Sequence, residues 1–151
     1  MADIEIRFAR PADIETIAAH NRAMAKETEK RVLDEDTVLA GTRALMQDHT
    51  RGFYLLAELE GRVAGQLMVT FEWSDWRNGA FWWIQSVYVR PPSRGRGVFG
   101  ALFEYLTTEA RSREDICGLR LYAAADNQRA KKTYRALGMQ PTRYELFELE
   151  F

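Results

Sequence analysis

A glycine-rich turn between two apolar segments is the feature that most constrains this chain. The turn is Arg94-Gly95-Arg96-Gly97-Val98; the segment Trp82–Val89 before it is typical of a buried strand, and Val98–Leu106 after it is typical of a helix. A glycine-rich turn that opens a helix directs several backbone N–H groups at one point, where the helix dipole adds partial positive charge. Two arginines add full charges there. The sequence therefore predicts a phosphate-binding turn between a strand and a helix.

The composition is that of one globular domain without a strong charge bias. The chain has 151 residues, which predicts a single domain over 1–151, and 46% of them are hydrophobic. The net charge is -1, which gives no reason to expect nucleic acid or an anionic membrane as a partner. Cys117 is the only cysteine, so neither a disulfide framework nor a thiolate metal cluster is expected. The acidic start and the lack of a long apolar run predict a cytoplasmic protein.

Hydrophobic periodicity predicts an α/β chain whose pattern changes at the glycine-rich turn. Before the turn, alternation and tight turns predict one strand, two helices and an antiparallel meander of three strands. After the turn come a helix, a strand parallel to the fourth strand, a helix ended by Gly138 and a last strand. The predicted order is β-α-α-β-β-β-α-β-α-β, with the last four elements over Val98–Arg111, Leu119–Ala123, Gln128–Leu137 and Tyr144–Phe151.

Two other interpretations of the turn stay open on the residues alone. Gly95, Gly97 and Gly100 match the spacing G-x-G-x-x-G of a dinucleotide fingerprint. That fingerprint belongs in the first βα turn of a doubly wound sheet, whereas here an antiparallel meander precedes the turn. The other interpretation is a surface loop without a ligand. His20 and His49 are far apart and near no nucleophile motif, so neither a catalytic triad nor a metal site is predicted.

Three local motifs, together with the predicted order of elements, are similar to those of a known protein family. The turn Arg94–Val98 is similar to a pyrophosphate loop of the form R-x-x-G-x-G/A, and Val87–Pro91 before it is similar to the end of a splayed strand. Asn127–Met139 is similar to the segment N-x-x-A-x-x-x-Y-x-x-x-G-F. Together they resemble the GNAT superfamily of acetyl-CoA-dependent N-acetyltransferases. The resemblance covers nearly the whole chain and implies an α/β GNAT fold, a mixed sheet with splayed strands four and five.

The resemblance implies acetyl-CoA as co-substrate and no metal ion. Strand four would pair its free backbone with pantetheine, and the amides of the turn would hold the pyrophosphate. The Tyr134 hydroxyl would lie near the thioester sulfur and protonate the leaving thiolate, although its spacing on the helix also fits a core tyrosine. An unperturbed tyrosine pKa near ~10 keeps the hydroxyl protonated at neutral pH. The implied cofactor residues are Val87, Tyr88, Val89, Arg94, Gly95, Arg96, Gly97, Val98, Phe99, Asn127 and Tyr134.

Two positions depart from the family pattern. Phe99 stands where the pattern has Gly or Ala, and Gln85 stands where many polyamine-acetylating relatives have Glu. The usual candidate base is therefore absent, and Gln85 is left as a catalytic candidate that positions a water or the acceptor. The first loop and the turn between strands three and four border the acceptor site in similar proteins; here they contain acids, and the turn also contains two tryptophans, a combination that suits a small cationic amine. The candidate acceptor residues, each of which also fits a surface position, are Glu27, Glu29, Glu72, Trp73, Asp75 and Trp76.

The resemblance implies acetyl transfer to a primary amine by direct attack in a ternary complex. The acceptor is expected to be a small cationic amine, a polyamine or an amino-acid-like amine, the last because Arg77 offers a group for a carboxylate. The contrasting hypothesis is a non-catalytic acyl-CoA-binding sensor or partner module. The short C-terminal β region also predicts a homodimer, in which a second subunit covers a sheet edge.

Overall fold

The computed structural model describes residues 3–151, and the chain divides into two compact units between Leu121 and Tyr122. The first unit contains one five-stranded sheet and three α-helices, and the second contains a single helix. The strands are β1 (Ile4–Phe8), β2 (Gly52–Leu59), β3 (Arg62–Ser74), β4 (Gly79–Val89) and β5 (Ile116–Arg120). The helices are α1 (Ile14–Glu29), α2 (Glu35–Gln47), α3 (Val98–Arg111) and α4 (Gln128–Ala136), with short 3₁₀ turns at Pro11–Asp13 and Pro91–Ser93.

The sheet follows the order of the chain, β1-β2-β3-β4-β5. β1 to β4 are antiparallel to one another, and β5 lies parallel to β4, as the sequence predicts for a strand that follows a helical crossover. Pairing between β4 and β5 covers only Ala80–Trp83 of β4. The rest of β4, Ile84–Val89, extends beyond β5, which confirms the splayed pair of strands.

Helices cover both faces of the sheet because side chains alternate along each strand. Tyr54 of β2 belongs to a core cluster with Ile17 of α1 and Leu45 of α2 on one face. Its neighbour Phe53 points to the other face and meets the ring of Phe8, which in turn contacts Tyr105 of α3. The first unit therefore has α1 and α2 on one side of the sheet and α3 on the other.

A β-bulge interrupts β4 near its end. Gln66 of β3 is opposite Tyr88, and Met68 is opposite Gln85, so Ser86 and Val87 together face one residue of β3. Ser86 has a φ of 51°, in the left-handed region that serine adopts rarely. The bulge lies in the part of β4 that has no β5 partner, and it redirects the backbone there.

Of the two strands predicted after α3, one has different bounds in the structure and the other is not assigned. The fifth strand runs over Ile116–Arg120, earlier than the predicted Leu119–Ala123, because its bounds follow pairing with β4 and the close contact of Gly118 with the Phe81 ring. No strand is assigned over Tyr144–Phe151, since a strand needs a neighbour to pair with and no pairing is present in that part of the described chain. The prediction of a strand there, within this chain alone, is wrong.

The second unit, Tyr122–Phe151, consists of α4 and extended chain. Asn127 caps α4, because its side chain accepts a hydrogen bond from the Ala130 N–H at 3.1 Å. Gly138, with a φ of 93°, ends the helix as predicted, and its N–H donates to the Arg135 carbonyl. In the part of the chain that the structure describes, no helix is both long and apolar enough to cross a membrane.

Candidate active site

The glycine-rich turn has the strand–turn–helix geometry that the sequence predicts. Gly95 and Gly97 have φ values of 76° and 81°, which glycine adopts without strain, and Gly97 caps α3. The Ala101 N–H donates to the Gly97 carbonyl, so the helix begins immediately after the turn. Val98 is buried against Gly65 of β3, where an added Cβ would lie 2.7 Å from the valine Cγ1. This close packing holds the N-terminus of α3 at the end of β4.

The space above the turn is open. An added Cβ at Gly95 or Gly97 would meet no atom within 4 Å. At Phe99, where the family pattern has Gly or Ala, the ring lies 6.1 Å from the Phe103 ring on the next turn of the helix. The backbone N–H groups of the first helical turn, which have no carbonyl partner inside the helix, therefore meet an unobstructed surface that can accept a phosphate.

Arg94 connects the turn with α1 and β4. Its Nε donates to the Val89 carbonyl at 2.9 Å, and its other nitrogens bind both carboxylate oxygens of Glu27. The guanidinium also lies over the Tyr88 ring, 5.6 Å from its centroid. Hydrogen bonding to Arg94 lowers the pKa of Glu27. Glu27, predicted as an acceptor residue, is thus paired with an arginine of the predicted cofactor turn.

A buried polar network holds the bulge of β4. Gln66 is fully buried; its Nε2 donates to the Ser86 carbonyl at 3.3 Å and to the Asn21 Oδ1 at 3.0 Å. Its Oε1 lies 3.1 Å from the Nδ1 of His20. Because that oxygen only accepts, the histidine Nδ1 carries the proton. Burial lowers the pKa of His20, so the ring is neutral at neutral pH.

A cavity of about 430 Å³ opens beside this network, between α1, α2 and the sheet. The Tyr54 side chain, hydrogen-bonded to Thr42 and almost fully buried, forms part of the cavity wall. The wall combines hydroxyl and amide groups with methionines and aliphatic side chains, and it contains one acid and one base. The lining residues are Asn21, Met24, Ala25, Thr28, Glu29, Arg31, Leu33, Val38, Gly41, Thr42, Tyr54, Met68 and Ser86.

Gln85 and Glu72 lie on the β3–β4 pair and are both hydrogen-bonded. The Gln85 Nε2 donates to the Thr70 Oγ1, and Gln85 lies one residue before the bulge. Glu72 accepts from the Trp83 indole at 2.7 Å and from Arg120 at 3.0 Å. These hydrogen bonds, the Trp83 bond foremost, lower the pKa of Glu72. Glu72 is therefore an ionised partner of β5.

The predicted acceptor residues do not form one group. Glu72 is opposite Phe81 in β4, whereas Glu27 binds Arg94 beside Val89, at the other end of the strand. Eight residues along β4 separate these ends, about 26 Å at ~3.3 Å per residue. The remaining hairpin residues are exposed, Trp73 by 64% and Trp76 by 93%, with Asp75 in the same turn. Of the six predicted acceptor residues, only Glu29 lines the cavity.

The predicted residues of the second unit have local roles in α4. Asn127 is its N-cap, and Tyr134 lies in its last turns. Burial raises the pKa of Tyr134, which keeps its hydroxyl protonated at neutral pH. Their cofactor and catalytic roles stay predictions. Among residues 3–151, no group of three or more potential metal ligands occurs.

Sequence reasoning missed His20, Asn21, Tyr54, Gln66 and Ser86. The sequence separates Asn21 from Gln66 by 45 positions, so no local motif relates them. Tyr54 occupies an ordinary position of an apolar strand, and the bulge at Ser86 depends on the pairing of two strands. A polar glutamine inside the apolar run Val63–Val69 was the one signal in the sequence that pointed to a buried network.

Comparison with known proteins agrees with this architecture. The model of the Acetyltransferase (GNAT) family matches residues 15–139. The structure of a possible acetyltransferase from Clostridium difficile 630 is similar, with 45% identity and a TM-score of 0.93 over 98% of this chain and 97% of that one. A predicted acetyltransferase from Clostridium acetobutylicum, solved with acetyl-CoA, has 19% identity and a TM-score of 0.78, over 98% of this chain and 96% of that one.

An aminoglycoside N-acetyltransferase solved with CoA shares the fold, with 18% identity and a TM-score of 0.78 over 99% of this chain and 96% of that one. Comparison with curated proteins gave no significant match. The mixed sheet, the splayed β4–β5 pair and the turn before α3 define an acetyltransferase fold rather than a doubly wound dinucleotide fold. The chain belongs to the GNAT acetyltransferase family.

Proposed function

We propose that this protein is an N-acetyltransferase that moves an acetyl group from acetyl-CoA to a primary amine. The proposal rests on one observation, that two features of the first unit, the end of β4 and the turn before α3, lie next to each other in the chain. The end of β4 that has no partner on its β5 side, Ile84–Val89, leads through the short 3₁₀ turn Pro91–Ser93 into the open turn at Gly95 and Gly97 that begins α3. The first feature supplies a free strand backbone, and the second supplies helix-start amides for phosphate.

The residues present fit acetyl-CoA. Val87, Tyr88 and Val89 would hold pantetheine through their backbone, and Arg94–Phe99 would hold the pyrophosphate through their amides. The open space above the turn supports this assignment, as does Arg96, whose charge lies on the exposed turn. Bound acetyl-CoA would supply the activated acetyl thioester. A backbone N–H near the bulge would then stabilise the negative charge that develops on the acetyl oxygen.

We propose that the acceptor amine occupies the cavity beside Ser86. The cavity borders the bulge, and its two charged lining residues have opposite signs, Glu29 and Arg31. One carboxylate can bind an ammonium group and one guanidinium can bind a carboxylate. A polyamine would meet that guanidinium with like charge. The lining therefore favours an amino-acid-like amine, with the hairpin residues Glu72, Trp73, Asp75 and Trp76 as a second candidate site for a purely cationic acceptor.

The roles that we propose for individual residues follow from the family resemblance. We propose Tyr134 as the general acid that protonates the leaving thiolate, and Gln85 as a group that orients water or the acceptor. The amine attacks directly, without an acetyl-enzyme. We further propose one catalytic domain over 1–151 that forms a homodimer. A cytoplasmic location suits a chain whose single cysteine, Cys117, allows no internal disulfide.

A panel of matched amines tests the proposed function. Each α-amino acid is paired with the amine that lacks its carboxylate, such as lysine with cadaverine, and release of CoA thiol and the acetylated product are measured. We expect turnover with at least one amine, a preference for the amino acid of the pair, and no acetylated protein by intact mass. Binding of acetyl-CoA without turnover of any amine would instead support a non-catalytic sensor, a role that the hydrogen-bonded Gln85 in place of a Glu favours.

A further inference from the structure

Glu27 occupies a position in α1 that helix stability alone does not favour. It lies in the last turn of the helix, which ends at Glu29, and the end of a helix carries partial negative charge. A carboxylate in that turn is unfavourable unless a cation lies beside it. Arg94 supplies this cation from the glycine-rich turn, 67 positions further along the chain. The placement of Glu27 therefore indicates a role toward the turn rather than within the helix.

The ion pair fixes the Arg94 guanidinium in one orientation. All three of its nitrogens donate, Nε to the Val89 carbonyl and the two terminal nitrogens to the two carboxylate oxygens of Glu27. The two side chains are 42% and 41% exposed, so the pair adds little to stability, but a bidentate pair adds geometric specificity. The Arg94 N–H also donates to the Pro91 carbonyl at 3.3 Å. Side chain and backbone of Arg94 together hold the segment between β4 and the turn.

One face of α1 contacts both the end of β4 and the turn. His20 and Glu27 are seven positions apart, about two helical turns, so they share a face of the helix. The His20 ring lies 5.2 Å from the ring of the buried Tyr88, and the Arg94 guanidinium that Glu27 binds lies 5.6 Å from the centre of the same ring. The helix therefore sets the spacing between the end of β4 and the glycine-rich turn.

The other arginine of the turn is held less firmly. One nitrogen of Arg96 lies 3.2 Å from one carboxylate oxygen of Glu60, in the turn between β2 and β3, and the two side chains are 42% and 66% exposed. A single exposed hydrogen bond of this kind contributes little. Arg96 can therefore exchange Glu60 for a phosphate, whereas the three nitrogens of Arg94 are bound to protein groups.

We propose that Glu27 is a positioning residue for acetyl-CoA binding, which acts through Arg94 to fix the glycine-rich turn relative to the end of β4. The inference rests on the proposed function, in which one ligand places its pantetheine on the strand end and its pyrophosphate on the turn. A ligand that contacts two elements at once binds more tightly when their spacing is fixed beforehand. Loss of the ion pair releases that spacing and weakens binding.

Calorimetric titration with CoA tests this role without measuring turnover. If charge alone matters, removing an acid near an anionic ligand strengthens binding. Glu27→Gln should instead raise the Kd of CoA about fivefold, because the turn loses its fixed position. Glu60→Gln makes the same change of charge at the other arginine and should leave the Kd unchanged or lower it. Circular dichroism checks that both variants fold. Native affinity in Glu27→Gln, or an equal loss in both variants, would overturn the positioning role.

A double-mutant cycle tests whether Glu27 acts through Arg94. Arg94→Gln should weaken CoA binding, and the addition of Glu27→Gln should cause no further loss; losses that add would contradict the proposal. Inorganic pyrophosphate is too small to reach the strand, so Glu27→Gln should bind it at least as tightly as the native protein does. An equal loss for pyrophosphate and CoA would also contradict a role in spacing. A native protein that does not bind CoA would overturn the proposed function itself, a result separate from any difference between variants.

Discussion

His20 is held neutral by its surroundings between α1 and the sheet. Its Nδ1 bonds to Gln66, its ring lies 5.2 Å from the Tyr88 ring, and the charge of Arg90 adds to the effect of burial on its pKa. The pKa is therefore lower in the folded chain than the ~6.5 of an unfolded one. Below that value the unfolded chain binds a proton that the folded chain does not bind.

Stability should consequently fall as the pH drops below about 6.5. Between about pH 7.5 and about pH 5.5, we expect the free energy of unfolding to decrease by up to ~1.4 kcal/mol through His20. Urea unfolding at the two pH values measures this difference. His20→Gln should remove it, whereas the exposed His49→Gln should retain it. A pH dependence that is the same in both variants would show that folding does not lower the pKa of His20.

Replacing Tyr134 distinguishes a catalytic role of its hydroxyl from a packing role of its ring. Tyr134→Phe keeps the ring and removes only the hydroxyl, so a general-acid role predicts a fall in turnover of ~10²-fold with little change in acetyl-CoA affinity. Burial raises the pKa of this group, so the native rate should show no loss from its ionisation near neutral pH. Steady-state kinetics with the best amine of the panel checks this. Equal turnover in the native protein and Tyr134→Phe would show that the Tyr134 hydroxyl takes no part in the reaction.

At the scale of elements, the bulge of β4 is held by one glutamine from β3. Gln66 bonds to the Ser86 carbonyl and the His20 Nδ1–H at once, and its own side chain is fully buried. The unusual φ of Ser86 is maintained by this bond and by the flanking pairs of the sheet. Gln66 is therefore a positioning residue for the free end of β4.

Gln66→Leu should destabilise the protein by about 2–4 kcal/mol, because it removes the hydrogen-bond partner of the buried His20 and of two half-buried groups, the Ser86 carbonyl and the Asn21 side chain. Where the variant remains folded, we expect kcat to fall about tenfold more than in a variant of equal stability, since the bulge loses its anchor. Leu106→Ala is the matched control; it removes buried apolar volume from α3 and leaves Ser86, Gln66 and Gln85 untouched. Denaturation curves and kcat of both proteins are compared. Similar kcat values in the two variants would contradict the positioning role.

The turn before α3 is the second element with a specific prediction. Gly97 has a φ of 81°, and an added side chain would occupy the open space proposed for the pyrophosphate. Gly97→Asp should weaken acetyl-CoA binding at least tenfold, about 1.4 kcal/mol, by steric and charge repulsion. Gly97→Asn has the same size and a similar tolerance of positive φ, so it isolates the charge and should lose less. Calorimetry measures both, and an Asp variant with native affinity would exclude a phosphate at this turn.

Elements with strong local signals could be predicted from the sequence, whereas those set by distant pairing could not. The turn and the meander follow from glycines, alternation and apolar runs within a few residues, and the structure has both. The bounds of β5 depend on contact with β4, and the alternation over Tyr144–Phe151 predicts a strand for which no pairing is present among the described residues. The same limit applies to the site. Gln66 and Asn21 meet only because the sheet and α1 are folded.

At the scale of the molecule, the β3–β4 hairpin separates two groups of candidate acceptor residues. Glu29 lies in the cavity wall near the bulge, whereas Asp75 lies in the hairpin turn beyond Ser74. The two regions are too far apart for one small amine to contact both. Since the phosphate-binding turn adjoins the bulge end, the acceptor should bind there, and the charges at the distant end should matter little.

Charge reversal at the two ends decides between these locations. Glu29→Lys should raise the KM for the best amine acceptor about fivefold, because an ammonium group then meets like charge; the effect should be larger at low salt than at high salt. Asp75→Lys makes the same change of charge on the exposed hairpin turn and should leave KM within about twofold. Initial rates at two ionic strengths measure both. If Asp75→Lys raises KM and Glu29→Lys does not, the acceptor binds at the hairpin end and the cavity serves another purpose.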